Sequence, residues 1–159
     1  MPRLNQMSYE EFAKLRFLDF FPISDTYYDD DIGGAETGIG LSCVDGYAFT
    51  FFASPVDSCK QTAEIRLDFD HEYPVREAHA LLDYLELPLR KGITYEQCAK
   101  ALGNPEHQNP PAWFRYIVGA TWPYYVGLFF EEQGGLSRVW ICRKDLADEQ
   151  IRLESTNAT

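Results

Sequence analysis

The chain has 159 residues, of which 45% are apolar and 15% aromatic, enough to bury a sizeable core in one compact domain over residues 1–159 and too many for general disorder. Its net charge of −11 at pH 7 repels phosphate backbones and anionic lipid, so nucleic acid and membrane surfaces are disfavoured, and the charge serves either to attract a basic protein partner or only to keep the chain in solution. The four cysteines, Cys43, Cys59, Cys98 and Cys142, form no CxxC pair, and their wide, irregular spacing argues against a zinc site or a disulfide-dense scaffold.

In chain order, Met1 to Leu18 mixes charged and apolar residues without the basic-then-apolar order of a secretory signal, and no apolar run reaches membrane-spanning length. A cytoplasmic protein is expected. Ser8-Tyr9-Glu10-Glu11 is a capping box, in which serine and the glutamate three residues on each satisfy a free backbone N–H. Tyr9, Phe12 and Ala13 then share a helix face, Leu15 extends it, and Pro22 stops it. Asp29-Asp30-Asp31 and Gly33-Gly34 read as loop, because like charges repel and paired glycines carry high backbone entropy. Gly38 to Val44 and Tyr47 to Ala53 predict a hairpin about Asp45-Gly46, the pair a tight type I′ turn favours. Thr62 to Phe69 alternates. Ala63, Ile65, Leu67 and Phe69 are expected inside, and Thr62, Glu64, Arg66 and Asp68 on a wet face.

Pro74 suits a helix first turn, and Val75, Ala78, Leu82 and Leu85 share a face, with Leu81 beside them, in a helix over 74–86. Thr94-Tyr95-Glu96-Gln97 is a second capping box. Tyr95, Cys98, Ala99 and Leu102 make its apolar stripe, Gly103 caps it and Pro105 bars continuation. After Pro110-Pro111 come three strand-like runs, Trp113 to Val118, Tyr124 to Glu131 and Leu136 to Arg143, with Gly134-Gly135 turning between the last two. The polar tail from Glu149 is expected to fray.

The fold class is α+β, an antiparallel sheet packed by helices. Ser8 to Lys14 echoes Thr94 to Lys100, and each segment opens a helix that precedes strands. Two tandem helix-plus-hairpin units, residues 7–70 and 90–145 joined by the helix 74–86, would produce this echo, as would convergence of capped helices on similar sequences. In the second unit, Gly92-Ile93-Thr94-Tyr95-Glu96-Gln97, then Ala101-Leu102-Gly103-Asn104-Pro105, then Trp113 to Tyr116 and a hairpin ending in Val139-Trp140 resemble the SmpA/BamE-like small α+β unit over residues 90–142. Tandem copies of that unit make the β-lactamase-inhibitor-protein fold. The sequence departs from the outer-membrane family in having no lipoprotein signal and no cysteine following one. The resemblance implies a fold whose members bind other proteins on an open sheet face, and fold alone does not fix function.

No stretch spells out a catalytic or cofactor motif. Asp68 to Glu72, with His71, gathers possible metal donors, but a strand end directs them to opposite faces, so a solvated loop is expected. Asp29-Asp30-Asp31 lacks the alternating donor spacing of a calcium loop and reads as a solvated patch able to meet a basic partner. The glycines from Gly33 to Gly40 lack the Gly-Lys-Ser/Thr ending of a phosphate loop. Cys98, with His107 nearby, sits on an apolar stripe, where packing rather than nucleophilic chemistry is expected. No metal, cofactor or catalytic residue is assigned.

The most unusual feature is the crowd of rings between Trp113 and Trp140. Alternation puts Trp113, Arg115 and Ile117 on one side and Phe114, Tyr116 and Val118 on the other, so one packed layer cannot hide them all. Exposed rings beside arginine typify protein interfaces, while rings covered by the first half of the chain would instead make a two-sided core. The expected partner-binding residues are therefore Trp113, Arg115, Trp122, Tyr124, Tyr125 and Trp140, with Asp29, Asp30 and Asp31 as an acidic flank. The function so predicted is a cytoplasmic protein-binding protein, an immunity-type inhibitor. The alternatives are a small-molecule-binding domain or unrecognised enzyme, which needs an enclosed polar pocket, and a structural module that forms homodimers through an exposed strand or an aromatic patch.

Overall fold

A computed structural model describes residues 3–15, 43–44, 47–48, 61–62, 64–69 and 75–157. After a 3-10 turn over Arg3–Asn5, helix α1 (Tyr9–Ala13) begins at the Ser8 cap, and both halves of the capping box form. Strands β1 (Cys43–Val44) and β2 (Tyr47–Ala48) pair antiparallel with Val44 opposite Tyr47. That register leaves two residues between the paired positions, as an Asp-Gly turn requires. The turn itself, the rest of both runs and Asp29-Asp30-Asp31 lie outside the described residues. β2 pairs in parallel with β3 (Gln61–Thr62), a contact the hairpin reading did not anticipate.

The main sheet has five strands. β4 (Glu64–Asp68) lies at one edge, followed by β8 (Gly135–Arg143), β7 (Tyr124–Glu131), β6 (Trp113–Val118) and β5 (His107–Asn109). All four pairings are antiparallel. The chain is an α+β fold. Three of these strands coincide with the three runs read from the sequence. The short β5, polar and exposed along its length, carries no period-2 apolar signal and was not foreseen.

Helices α2 (Val75–Tyr84) and α3 (Tyr95–Leu102) pack on one sheet face together with α1. That face carries Ile65, Leu67, Phe114, Tyr116, Val118, Tyr124, Val126, Leu128, Val139 and Ile141, all buried against Phe12, Leu81, Leu82, Leu85 and Cys98. Thr94 and Gln97 form the second capping box, and Gly103 closes α3 at φ 81°, a left-handed backbone angle that glycine adopts without strain. Backbone bonds from Gly92 N–H to Leu136 C=O and from Leu136 N–H to Ile93 C=O, both 2.9 Å, tie the start of α3 to the β7–β8 hairpin.

Two expectations are corrected. Thr62 and Glu64 are not on a wet face: Thr62 is fully buried, its hydroxyl donating to the Leu15 carbonyl at 2.7 Å, and Glu64 is 3% exposed, because Trp140 on β8 lies beside it and donates its ring N–H to the carboxylate. The tail does not fray at Glu149, since helix α4 (Lys144–Asn157) runs through it. Pairs at helical spacing, Lys144 with Asp148 at 2.7 Å and Arg152 with Glu149 at 2.5 Å, support it, and Ala147 packs on the sheet.

Candidate functional site on the outer sheet face

The face turned away from α1, α2 and α3 is built by register. Trp113 lies opposite Phe129, Arg115 opposite Gly127 and Ile117 opposite Tyr125, while Gly127 also pairs with Trp140, and Phe129 with Arg138. All these positions therefore share the outer face. Gly127 is the key to its relief. A side chain there would run into the six-membered ring of Trp113, so the missing Cβ lets that indole lie across the middle of the sheet. Trp113 then packs on Phe129 at 4.2 Å between ring centroids and on Trp140 at 6.1 Å, and Trp140 stacks on Tyr125 at 6.0 Å. Four rings make one continuous stripe.

Polar groups pin the stripe. The Arg115 guanidinium sits 4.2 Å from the Tyr125 ring centre and donates to both Glu106 carboxylate oxygens, at 2.8 and 3.1 Å. This hydrogen-bonded pair holds the Glu106 carboxyl below its usual range. Burial pushes the Glu64 carboxyl above its ordinary value, while Arg66, donating at 2.8 Å, and the Trp140 N–H pull it back. Burial and the hydrogen bond to Asp148, at 2.6 Å, raise the Tyr125 hydroxyl.

Helix α4 covers only one end of this face. Ala147 packs there against Tyr125 and Cys142, with Trp140 alongside. The other end stays open. Phe129 there is 37% exposed with Trp113 half-buried beside it, Trp140 is half-buried in the middle, and Ile117, next to Tyr125 on the neighbouring strand, is 42% exposed. Large apolar side chains exposed on one half-covered sheet face mark an interaction surface more strongly than ones scattered over several faces. Because neighbours already fix the rings, little rotamer entropy remains to be lost when a partner covers them.

The expected partner-binding residues separate as follows. Trp113, Arg115, Tyr125 and Trp140 come together on the outer face, although Tyr125 lies under α4. Trp122 is 37% exposed in the loop before β7, off the stripe. Tyr124 does not belong with them. It points into the core, is fully buried, and its hydroxyl sits within hydrogen-bond distance of the Met7 and Ser8 carbonyls, at 2.8 and 3.0 Å. Its cross-strand partner is Val118, which fixes it on the core side, whereas the next residue, Tyr125, faces out. Asp29, Asp30 and Asp31 lie outside the described residues. Phe129, Ile117, Gly127 and Glu64 complete the site and were not among the expected binding residues, although alternation alone puts Ile117 on the side of Trp113 and Arg115. The signal for Phe129 and Gly127 was strand register, which fixes shared faces across strands only once pairing is known.

Among the described residues, no cluster of three metal-ligating side chains forms. Cys98 is buried on the inner face of α3, and burial pushes its thiol up to about 11, away from a reactive thiolate. No helix among the described residues is long and apolar enough to cross a membrane. The chain matches no protein-family model, no curated protein and no solved structure to a significant degree.

Proposed function

We propose that this protein is a protein-binding protein, an immunity-type inhibitor acting in the cytoplasm, and that the outer sheet face is its contact surface. The observation that carries the reading is the open end of the ring stripe, where Phe129 lies exposed against Trp113 on a face that α4 leaves half covered, with Ile117 exposed further along the same face beside Tyr125. Interface centres combine aromatic anchors with depleted net charge. Here Arg66 and Arg115 are each matched by a carboxylate, from Glu64 and Glu106, so the acidic excess of the chain is carried by other surfaces. That excess favours a basic partner by steering its approach, and the rings supply the contact energy. We further propose that residues 90–142 are a SmpA/BamE-like unit and that the chain holds two such units in tandem. The capped α3, its Gly103 stop and the β6–β8 meander behind it are consistent with the first of these.

The test is affinity capture from a host lysate with the parent chain and with Phe129→Ser/Ile117→Ser as baits. The reading expects a stoichiometric basic partner held by the parent and lost by the variant. No partner, or one retained equally by both baits, would overturn it.

A further inference from the structure

A second surface lies around the end of the same strands, on their other side. Adjacent residues alternate across the sheet, so Phe114 and Phe130 face away from the stripe that Trp113 and Phe129 form. Together with Tyr95 of α3 they floor an open groove of about 960 Å³, walled by the first turn of α3, the Gly134-Gly135 turn and the Pro110-Pro111 segment. Tyr95 stacks on Phe114 at 4.0 Å, and both meet Phe130 edge-on, at 6.0 and 5.7 Å. The hydrogen bonds joining Gly92 and Ile93 to Leu136 hold the helix and hairpin walls at a fixed separation.

The charge of this groove is one-sided. Glu96, Glu131 and Glu132 line it, all exposed, and no lysine, arginine or histidine lines it. Among the described residues, no basic side chain pairs with any of the three. The N-terminus of α3 opposes them only weakly. A helix end carries roughly half a positive charge, and two of its free N–H groups are already taken by the capping box. Three full carboxylates outweigh it.

We propose that the groove takes an extended basic segment of a protein partner. Lysine or arginine side chains fit both of its features, since their aliphatic stems cover apolar ring surface while their charged ends stay in water beside carboxylates. The stems lie on Tyr95 and Phe130, with Phe114 packed behind, and the charged ends reach Glu96 on one wall and Glu131 and Glu132 on the other. A groove of this volume exceeds a single cation and suits a short run of chain. The inference rests on the protein-binding reading above and names the chemistry of one partner segment.

A capped octapeptide of alternating lysine and alanine, titrated into the isotope-labelled full chain and followed by NMR, tests it. Shifts are expected to concentrate at Thr94 to Gln97 and Phe130 to Gly135. Glu96→Gln/Glu131→Gln/Glu132→Gln should weaken binding about tenfold or more, whereas the charge-matched Glu10→Gln/Glu86→Gln/Glu149→Gln should stay within about twofold of the parent. A glutamate-alanine octapeptide should produce no shifts. Equal weakening by both triple variants, or shifts spread over the surface, would mean that net charge alone attracts the peptide, and would overturn the inference, as would no binding. Peptide binding at the groove with no partner captured on the outer face would instead sink the protein-binding reading. Capture that depends on Phe129 and Ile117 without peptide binding would sink only the groove.

Discussion

The two faces of the five-stranded sheet use similar residues to opposite ends. On the core face, Tyr124, Phe114 and Tyr116 disappear under α1 and α3, and the Tyr124 hydroxyl finds backbone carbonyls of the segment that starts α1. Burial and the neighbouring Tyr9 raise that hydroxyl strongly, and burial drives Tyr116 up to about 12. On the outer face, Trp113 packs on Phe129 and Trp140, Arg138 lies over Phe129, and among the described residues α4 alone shelters one end of the stripe. Ring content therefore does not distinguish core from surface here. What distinguishes them is whether a second layer exists to cover the rings.

Substitutions on the two faces should separate stability from binding. The largest loss is expected for Phe12→Ala, which empties the space against Tyr124 and should cost about 3–5 kcal/mol in chemical denaturation. Gly127→Val should cost about 1–3 kcal/mol, because its side chain evicts the Trp113 indole, and the change should be visible as altered tryptophan fluorescence. A cost near zero would mean that Trp113 does not rest on the sheet. Tyr124→Phe should cost about 1 kcal/mol through the lost hydrogen bonds at the α1 start. Phe129→Ser should change stability least, by less than about 1 kcal/mol, since that ring is already over a third exposed.

Glu64 offers a subtler contrast between the faces. Burial raises its carboxyl in the folded chain above the ordinary value of 4.5, so the folded state holds the proton more tightly than the unfolded one. The stabilising contribution is complete below 4.5 and fades as pH rises through the folded value. Glu64→Gln removes the titration. Denaturation midpoints of parent and variant should therefore diverge from pH 4.5 upward, the parent falling relative to the variant. A parent that instead gains on the variant over that range would show that Arg66 and Trp140 outweigh burial.

Most of the fold was legible because its punctuation is local. Ser8 with Glu11, and Thr94 with Gln97, cap their helices as read, and Gly103 stops α3. The runs from Trp113, Tyr124 and Leu136 are strands because β-branched and aromatic residues at period 2 fit a pleated surface. Two elements escaped for physical reasons. β5 is three polar residues held by pairing with β6, and α4 is stabilised by ion pairs and one small packed face rather than by a strong apolar stripe. The site was half legible. Alternation placed Trp113 and Arg115 together, but Tyr124 and Tyr125 were both expected at the surface although adjacent strand residues must face apart. Glu64 was expected in water because its cover, Trp140, comes from a strand 76 residues away in sequence.

Hydroxyl-radical footprinting of the free chain and of its complex with the captured partner is the most direct test of the central claim. The account predicts ready oxidation of Phe129 and Ile117 in the free chain and clear protection of both in the complex, with Phe12 and Tyr124 protected throughout. Protection confined to other surfaces, with Phe129 and Ile117 reacting as before, would contradict it.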